Sequence, residues 1–189
     1  NKSIFSSNTD IKLEADVAAE KLIKEILTDE TSFPILAEES GQSSDQLSDI
    51  FWVVDPLDGT ANYSRNIPIC CVSIALIKNM EPVLGVIYDF SNNDLYEGSV
   101  NTSAMQNGLE IKVSDISNQG EGILITGLPN KTDYSDETLL KMVQDFQGWR
   151  KVRMIGSAAI GSVYIAAGKA DVYKESRTYL WDVAAGAAI

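Results

Sequence analysis

Two carboxylates, Asp55 and Asp58, close an apolar run from Ile50 to Val54, with Pro56 and Leu57 between them. Such a run reads as a buried strand, and Pro56, whose ring fixes φ, predicts a sharp turn at its end. A turn of this kind gathers two carboxylates and one backbone carbonyl, that of Leu57, around a point where a hard cation finds only oxygen donors. Asp and Pro are also ordinary turn formers, so D-P-x-D alone is equally the pattern of a solvated turn. Gly59 and Thr60 follow. At the start of a helix, their N–H groups would form an anion site beside the cation. Metal beside a phosphate cradle is the equipment of phosphoryl chemistry.

The 189 residues include no histidine, which removes Ser-His-Asp triads, His-ligated zinc and imidazole general bases. Chemistry must rest on carboxylates, hydroxyls, backbone groups and hard ions. The net charge of -12 argues against nucleic acid as a partner. No stretch of about 18 apolar residues predicts a membrane span, and no signal peptide is visible. Cys70 and Cys71 lie side by side in "IPICCVSIALI" and read as buried free thiols of a reducing, cytoplasmic compartment. With 44% hydrophobic residues, the chain can build one large domain or two small ones.

The elements that must position the acids follow from periodicity. Val17, Leu22, Ile23, Ile26 and Leu27 fall at helical spacing, with Asp16 as the expected N-cap. "FPILAE" and "IFWVVD" read as strands ending on acids. "CCVSIALI" and "PVLGVIYD" read as strands joined by the hairpin "KNME", and "DLYEG" and "LEIKVS" as two more. After "GILITGLP" the character of the chain changes, and Ser135 is expected to cap a helix with Leu139, Leu140, Met142, Val143 and Phe146 on one side. "KVRMI" and "ADVY" read as strands around the small-residue helix "SAAIGSVYIAA", which Gly168 closes. "WDVAAGAAI" begins a last helix, so the C-terminal part is expected to be incomplete. Tyr173 and Trp181 read as core aromatics, and Arg150, Lys151 and Arg153 as a solvated strand face. The expected division is an N-terminal α+β subdomain over 1–130 and a truncated α/β subdomain over 131–189.

"WVVDPLDGTANY", "ILAEES" and "WDVAAGAAI" resemble, in order, the D-P-[LI]-D-G-T, E-E-S and W-D-x-A-x-G motifs of the inositol monophosphatase family of Mg²⁺-dependent, lithium-sensitive phosphatases. "IKLEADVAAEKLI", "VLGVIYD" and "GSAA" extend the resemblance over nearly the whole chain. It implies an α/β (α+β) fold, a layered αβαβα sandwich of the sugar-phosphatase type. Carried over residue by residue, it makes Glu38, Asp55, Asp58, Asp182 and the Leu57 carbonyl ligands of two or three Mg²⁺ ions. Thr60 and Asp16 become the pair that orients and deprotonates the attacking water, with Glu38 beside them in the catalytic set. Glu39 is placed behind the metal. Gly156, Ser157, Ala158 and Glu175 join Asp58, Gly59 and Thr60 in holding the substrate. Four clustered carboxylates would be destabilising without cations to compensate them.

The implied activity is hydrolysis of a small polyol or sugar phosphate, inositol monophosphate first, by direct water attack in a homodimeric cytoplasmic enzyme. A 3'(2'),5'-bisphosphate nucleotidase is the alternative, although such enzymes read D-G-T-K-E-F where this chain has "DGTANY". Histidinol phosphate, fructose bisphosphate and a non-catalytic cation- or partner-binding role stay open, because a fold does not name its substrate.

Overall fold

The computed structural model describes residues 3–6, 11–128 and 134–189. Strands β1 (Ser3–Ser6) and β2 (Ile11–Leu13) pair antiparallel and lead into helix α1 (Glu14–Glu30). Strands β3 (Ile35–Ala37), β4 (Gly41–Gln42) and β5 (Ile50–Asp58) precede the five-residue helix α2 (Thr60–Ser64). Then come β6 (Cys71–Lys78), β7 (Glu81–Asp89), β8 (Asp94–Ser99), β9 (Thr102–Gln106) and β10 (Leu109–Glu110). The order closes with β11 (Ile123–Thr126), α3 (Asp136–Gln147), β12 (Lys151–Met154), α4 (Ala158–Ala166), β13 (Val172–Tyr173) and α5 (Leu180–Ala188).

The apolar run before Asp55 is continuous because both faces of its strand are covered. Phe51 and Val53 pack with Ala159, Ile160 and Val163 of α4 and with Ala184 and Ala185 of α5. Val54 packs on the other side with Ile35 and Ala37, against Ile23 and Leu27 of α1. Side chains alternate along a strand, so Asp55 follows Phe51 and Val53 toward the α4–α5 face. The sheet around it has eight strands in the order β10-β9-β8-β7-β6-β5-β3-β4, antiparallel except for the β3–β5 pair. A smaller parallel sheet has the order β12-β11-β13, and α4 packs against both α5 and β13. The layers therefore run α1, large sheet, α4 with α5, small sheet. This is the mixed layered α/β fold expected of the family.

Helix α5 lies on the large sheet at backbone distance. A Cβ added at Gly85 in β7 would fall 2.1 Å from the Ala185 carbonyl oxygen, and one at Gly186 would fall 2.2 Å from Cβ of Ser162 in α4. Only glycine permits either approach. The hairpin expected at "KNME" forms with Asn79 at φ 53° and Met80 at φ 65°, the left-handed pair that a two-residue turn between twisted strands requires. Ser135 does cap α3, accepting from the Thr138 N–H, and Gly168, at φ 66°, follows the end of α4.

The structure departs from the sequence reading in several places. Helix α1 starts at Glu14, and Asp16 is its third residue rather than its N-cap; its carboxylate reaches back to accept the Leu13 N–H at 2.6 Å. An acid at that position satisfies one of the orphan donors of the helix start. Strand β5 does not stop at Asp55. It pairs Asp55 with Ser73 and then Asp58 with Cys71, so one extra residue is absorbed as a bulge around Pro56 and Leu57. "LEIKVS" contributes only Leu109–Glu110, paired to β9, a short polar strand that alternation did not announce. The expected division at residue 130 lies outside the described residues, and β11, ahead of it, already pairs with the strands that follow.

Candidate active site

The bulge is the local device that turns two carboxylates toward one region. Asp55, 2% exposed, accepts the Leu57 N–H at 2.9 Å, which folds the intervening residues into a tight loop. Gly59 takes the left-handed conformation at φ 88°, and a Cβ there would meet the Ile69 carbonyl oxygen at 2.7 Å. The chain can then enter α2, where the Thr60 hydroxyl donates to the Leu57 carbonyl at 3.0 Å. With only five residues, α2 adds little macrodipole to the Gly59 and Thr60 N–H groups.

Asp58, 9% exposed, crosses to the start of α4. Its Oδ2 accepts the Ser157 hydroxyl at 2.5 Å and the Ala159 N–H at 2.7 Å. Ser157 is itself the N-cap, accepting from the Ile160 N–H at 3.2 Å. The groups expected to meet substrate at "GSAA" therefore hold an acid of the site in place. Gly156, at φ 72°, makes the turn into this clamp.

The remaining acids converge through their charges. Burial, then the charges of Asp58 and Glu38, pushes Asp55 well above the ordinary carboxylate range. Burial raises Asp58 too, partly offset by its Ser157 and Ala159 donors, with Glu175 adding repulsion. Asp182, in the first turn of α5, is raised by burial to about 6 while the Tyr179 N–H lowers it and Asp58 and Glu175 raise it. Glu38 keeps its outer side in solvent, yet burial of its carboxylate pushes it to about 7; Asp55 lowers it by hydrogen bonding, and Glu39, Asp182 and Asp58 add repulsion. Glu175 accepts the Tyr173 hydroxyl at 2.9 Å and lies against Gly127, where a Cβ would fall 2.4 Å from its oxygens.

The donor set fits a hard divalent cation. It is entirely oxygen, and the burial and mutual repulsion that raise these carboxylates are costs that a cation reverses. Among the described residues, no three acidic or thiol side chains stand close enough together to form a finished ligand cage. Asp55 and Asp182 each spend an oxygen on a nearby N–H, and Asp58 spends one on the α4 clamp.

Asp16, 1% exposed, belongs to the same neighbourhood through Leu13, which packs with Leu57 and Cys70. One helical turn on, Glu20 is 4% exposed and accepts the Glu39 N–H at 2.8 Å, fixing the backbone that carries Glu38. The sequence reading missed Glu20, although its spacing from Asp16 puts both on one helix face. It also missed Asn62, whose amide donates to the carbonyls of Ile69 and Ile155, both at 2.8 Å. No local pattern could reveal that staple, because Ile155 lies 93 residues away in sequence. Cys70 and Cys71 are buried and free, as read from the sequence, and the Cys71 Sγ lies 3.9 Å from Asp58 Oδ2.

This layered fold, with acids supplied by both of its halves, has counterparts among known proteins. Residues 2–189 match the inositol monophosphatase family. The chain is 38% identical over 185 residues to Nus factor SuhB of Xylella fastidiosa, covering 97% of this chain and 66% of that protein. It is 35% identical over 182 residues to inositol-1-monophosphatase of Synechocystis sp., covering 95% of this chain and 63% of that one. The solved inositol monophosphatase of Anabaena (Nostoc) sp. superposes with a TM-score of 0.87 at 38% identity, over 92% of this chain and 70% of that one. The chain spans about two thirds of the length of these relatives. It belongs to the inositol monophosphatase family, a family of metal-dependent phosphatases.

Proposed function

We propose that this protein is a Mg²⁺-dependent phosphomonoesterase acting on inositol monophosphate or a similar small polyol phosphate. The observation that carries the reading is the crossing of Asp58 from the β5 bulge to the start of α4, within reach of the charges of Glu175 and Asp182. It joins the acids of the large sheet to those that follow the small one.

In this reading Glu38, Asp55, Asp58, Asp182 and the Leu57 carbonyl hold two or three Mg²⁺ ions. When bound, Mg²⁺ supplies Lewis-acid stabilisation of charge on the phosphate oxygens. Thr60 and Asp16 orient the attacking water and take its proton; the Thr60 hydroxyl already sits on the Leu57 carbonyl, beside the acids. The Gly59 and Thr60 N–H groups face the phosphate, and Gly156, Ser157 and Ala158 fix Asp58 at the substrate wall. Glu175 accepts hydrogen bonds from the hydroxyls of the alcohol. That carboxylate also disfavours a second phosphate, which separates a polyol monophosphate from 3'-phosphoadenosine 5'-phosphate.

The test is phosphate release from inositol, sugar, nucleotide and histidinol phosphates, with Mg²⁺ and with excess chelator. Mg²⁺-dependent release, fastest on inositol monophosphate, is the expected result. If the bisphosphorylated nucleotide wins by about tenfold or more, a margin that one lost polar contact can produce, the polyol assignment fails. A relative bears the name Nus factor, which favours a second reading as a partner-binding protein. Absence of release from every phosphate would leave that reading in possession.

A further inference from the structure

The segment 174–179 links β13 to α5 and carries Glu175 near one end and Tyr179 at the other. Tyr179 is tied to the acid cluster through its backbone, since its N–H donates to Asp182 Oδ2 at 2.7 Å. Its ring lies flat on Trp181, with centroids 4.8 Å apart and planes 13° from parallel. Trp181 is held from behind. It packs against the main core, and its carbonyl accepts the hydroxyl of Ser73, the β6 residue paired with Asp55. One face of the tyrosine is thus used up on a fixed support, while the residue stays 56% exposed. An aromatic ring on the surface, in a residue whose backbone holds Asp182, offers its immobilised outer face as a ready stacking partner.

We propose that Tyr179 is a specificity-determining residue. Its exposed face receives the ring of the substrate's alcohol, so that the protein prefers phosphates of cyclic alcohols over acyclic ones. The inference rests on the phosphatase reading above and deepens it. Hydroxyl acceptance by Glu175 recognises any polyol, whereas a flat wall recognises the shape of the alcohol. A cyclitol presents an apolar C–H face and a nucleoside presents a base; glycerol 2-phosphate presents neither. The shared chemistry is a rigid ring with an apolar face.

The experiment compares wild type, Tyr179→Ala and Tyr179→Phe on inositol 1-monophosphate, adenosine 2'-monophosphate and glycerol 2-phosphate, all with Mg²⁺. Tyr179→Ala keeps the backbone N–H to Asp182 and removes only the wall. It is expected to raise KM about tenfold for ring substrates, a typical loss for one aromatic stacking partner. The kcat values and all constants for glycerol 2-phosphate should be unchanged, and Tyr179→Phe should restore wild-type behaviour. Loss on the ring substrate of one kind only identifies the wall as a cyclitol or a base platform. An equal loss on all three substrates, or no change on any, overturns the proposal and leaves the phosphatase reading intact. If wild type releases no phosphate at all, that reading is what has failed. Calorimetric titration of adenosine 2'-monophosphate and inositol 1-monophosphate onto the same proteins then still decides, because unchanged affinity in Tyr179→Ala overturns the wall without any turnover.

Discussion

The two halves of the acid cluster are built differently. Asp55 and Asp58 sit on a nine-residue strand covered by helices on both faces, and Glu38 follows the strand beside it. Glu175 and Asp182 follow β13, a strand of only two residues in a three-stranded sheet. Nearby, α3 buries none of its residues, and its Leu140 and Val143 are exposed. Rigid, doubly covered backbone suits groups whose positions must not vary. Short connecting elements suit contacts that differ from one substrate to the next. On the proposed reading, chemistry rests on the large sheet together with Asp182 of α5, and selectivity on the segment 174–179 beside the small sheet.

The strongest way to break that assignment is Asp55→Asn. Turnover should fall to background on every phosphate, a loss of about 10³-fold or more, since Lewis-acid stabilisation is worth several kcal/mol. Melting in chelator should show a fold as stable as wild type or more so, because a repelled, buried charge has gone. Retained activity would remove Asp55 from the site.

Thr60→Ala should lower kcat by roughly 10²–10⁴ with little change in KM, on all substrates alike, as expected for lost acid–base assistance. A change confined to KM would move Thr60 to binding. Glu175→Gln sharpens the contrast from the other side. Here kcat/KM should drop roughly 10- to 150-fold on inositol monophosphate and far less on a simple aryl phosphate, the range for losing one hydrogen bond to a charged group. Equal losses on both substrates would erase the division of labour.

Asn62→Ala tests the join between the halves. Leaving the Ile69 and Ile155 carbonyls without their donor should cost about 1–3 kcal/mol in chemical denaturation. The smallest expected effect concerns pH. In the metal-free protein Glu38 rises from 4.5 to about 7 and Asp182 from 3.8 to about 6, and Asp55 moves in the same direction. The folded state then binds more protons than the unfolded one across that interval, so stability is greatest at its acidic end and falls as pH rises toward about 7. Added Mg²⁺ should reverse the slope, raising the melting temperature more at pH 8 than at pH 5, since it binds the deprotonated acids. A melting temperature that is flat with pH in chelator would show that burial in this fold does not raise these acids.

Much of this was legible in the residues. Alternation and helical spacing located the strands around Asp55 and the helix bearing Asp182, because both are apolar enough to announce what they bury. Motif spacing brought Glu38, Asp55 and Asp58 to neighbouring strand ends. The bulge escaped, because Pro56 suits a strand end as well as an irregular strand, and only the pairing partner distinguishes them. Asp16 was misplaced by three residues relative to the start of its helix, since an acid can serve the helix start from either position. Asn62 and the α4 clamp on Asp58 are contacts between segments far apart in sequence, which no periodicity encodes.

The seating of α5 on Gly85 has a further consequence. The Asp182 helix rests on the sheet that carries Asp55, at a depth that a single added methyl group would forbid. That depth sets the spacing between acids from the two elements, and ion size discriminates between hard cations: Mg²⁺ requires oxygens at about 2.0–2.1 Å, while Ca²⁺ accepts about 2.3–2.6 Å. On the proposed Mg²⁺ reading, a glycine with no polar side chain, remote from the acids in sequence, would thereby gauge which alkaline-earth ion the protein accepts. Raising the helix at that point would shift preference toward the larger ion before it abolished binding.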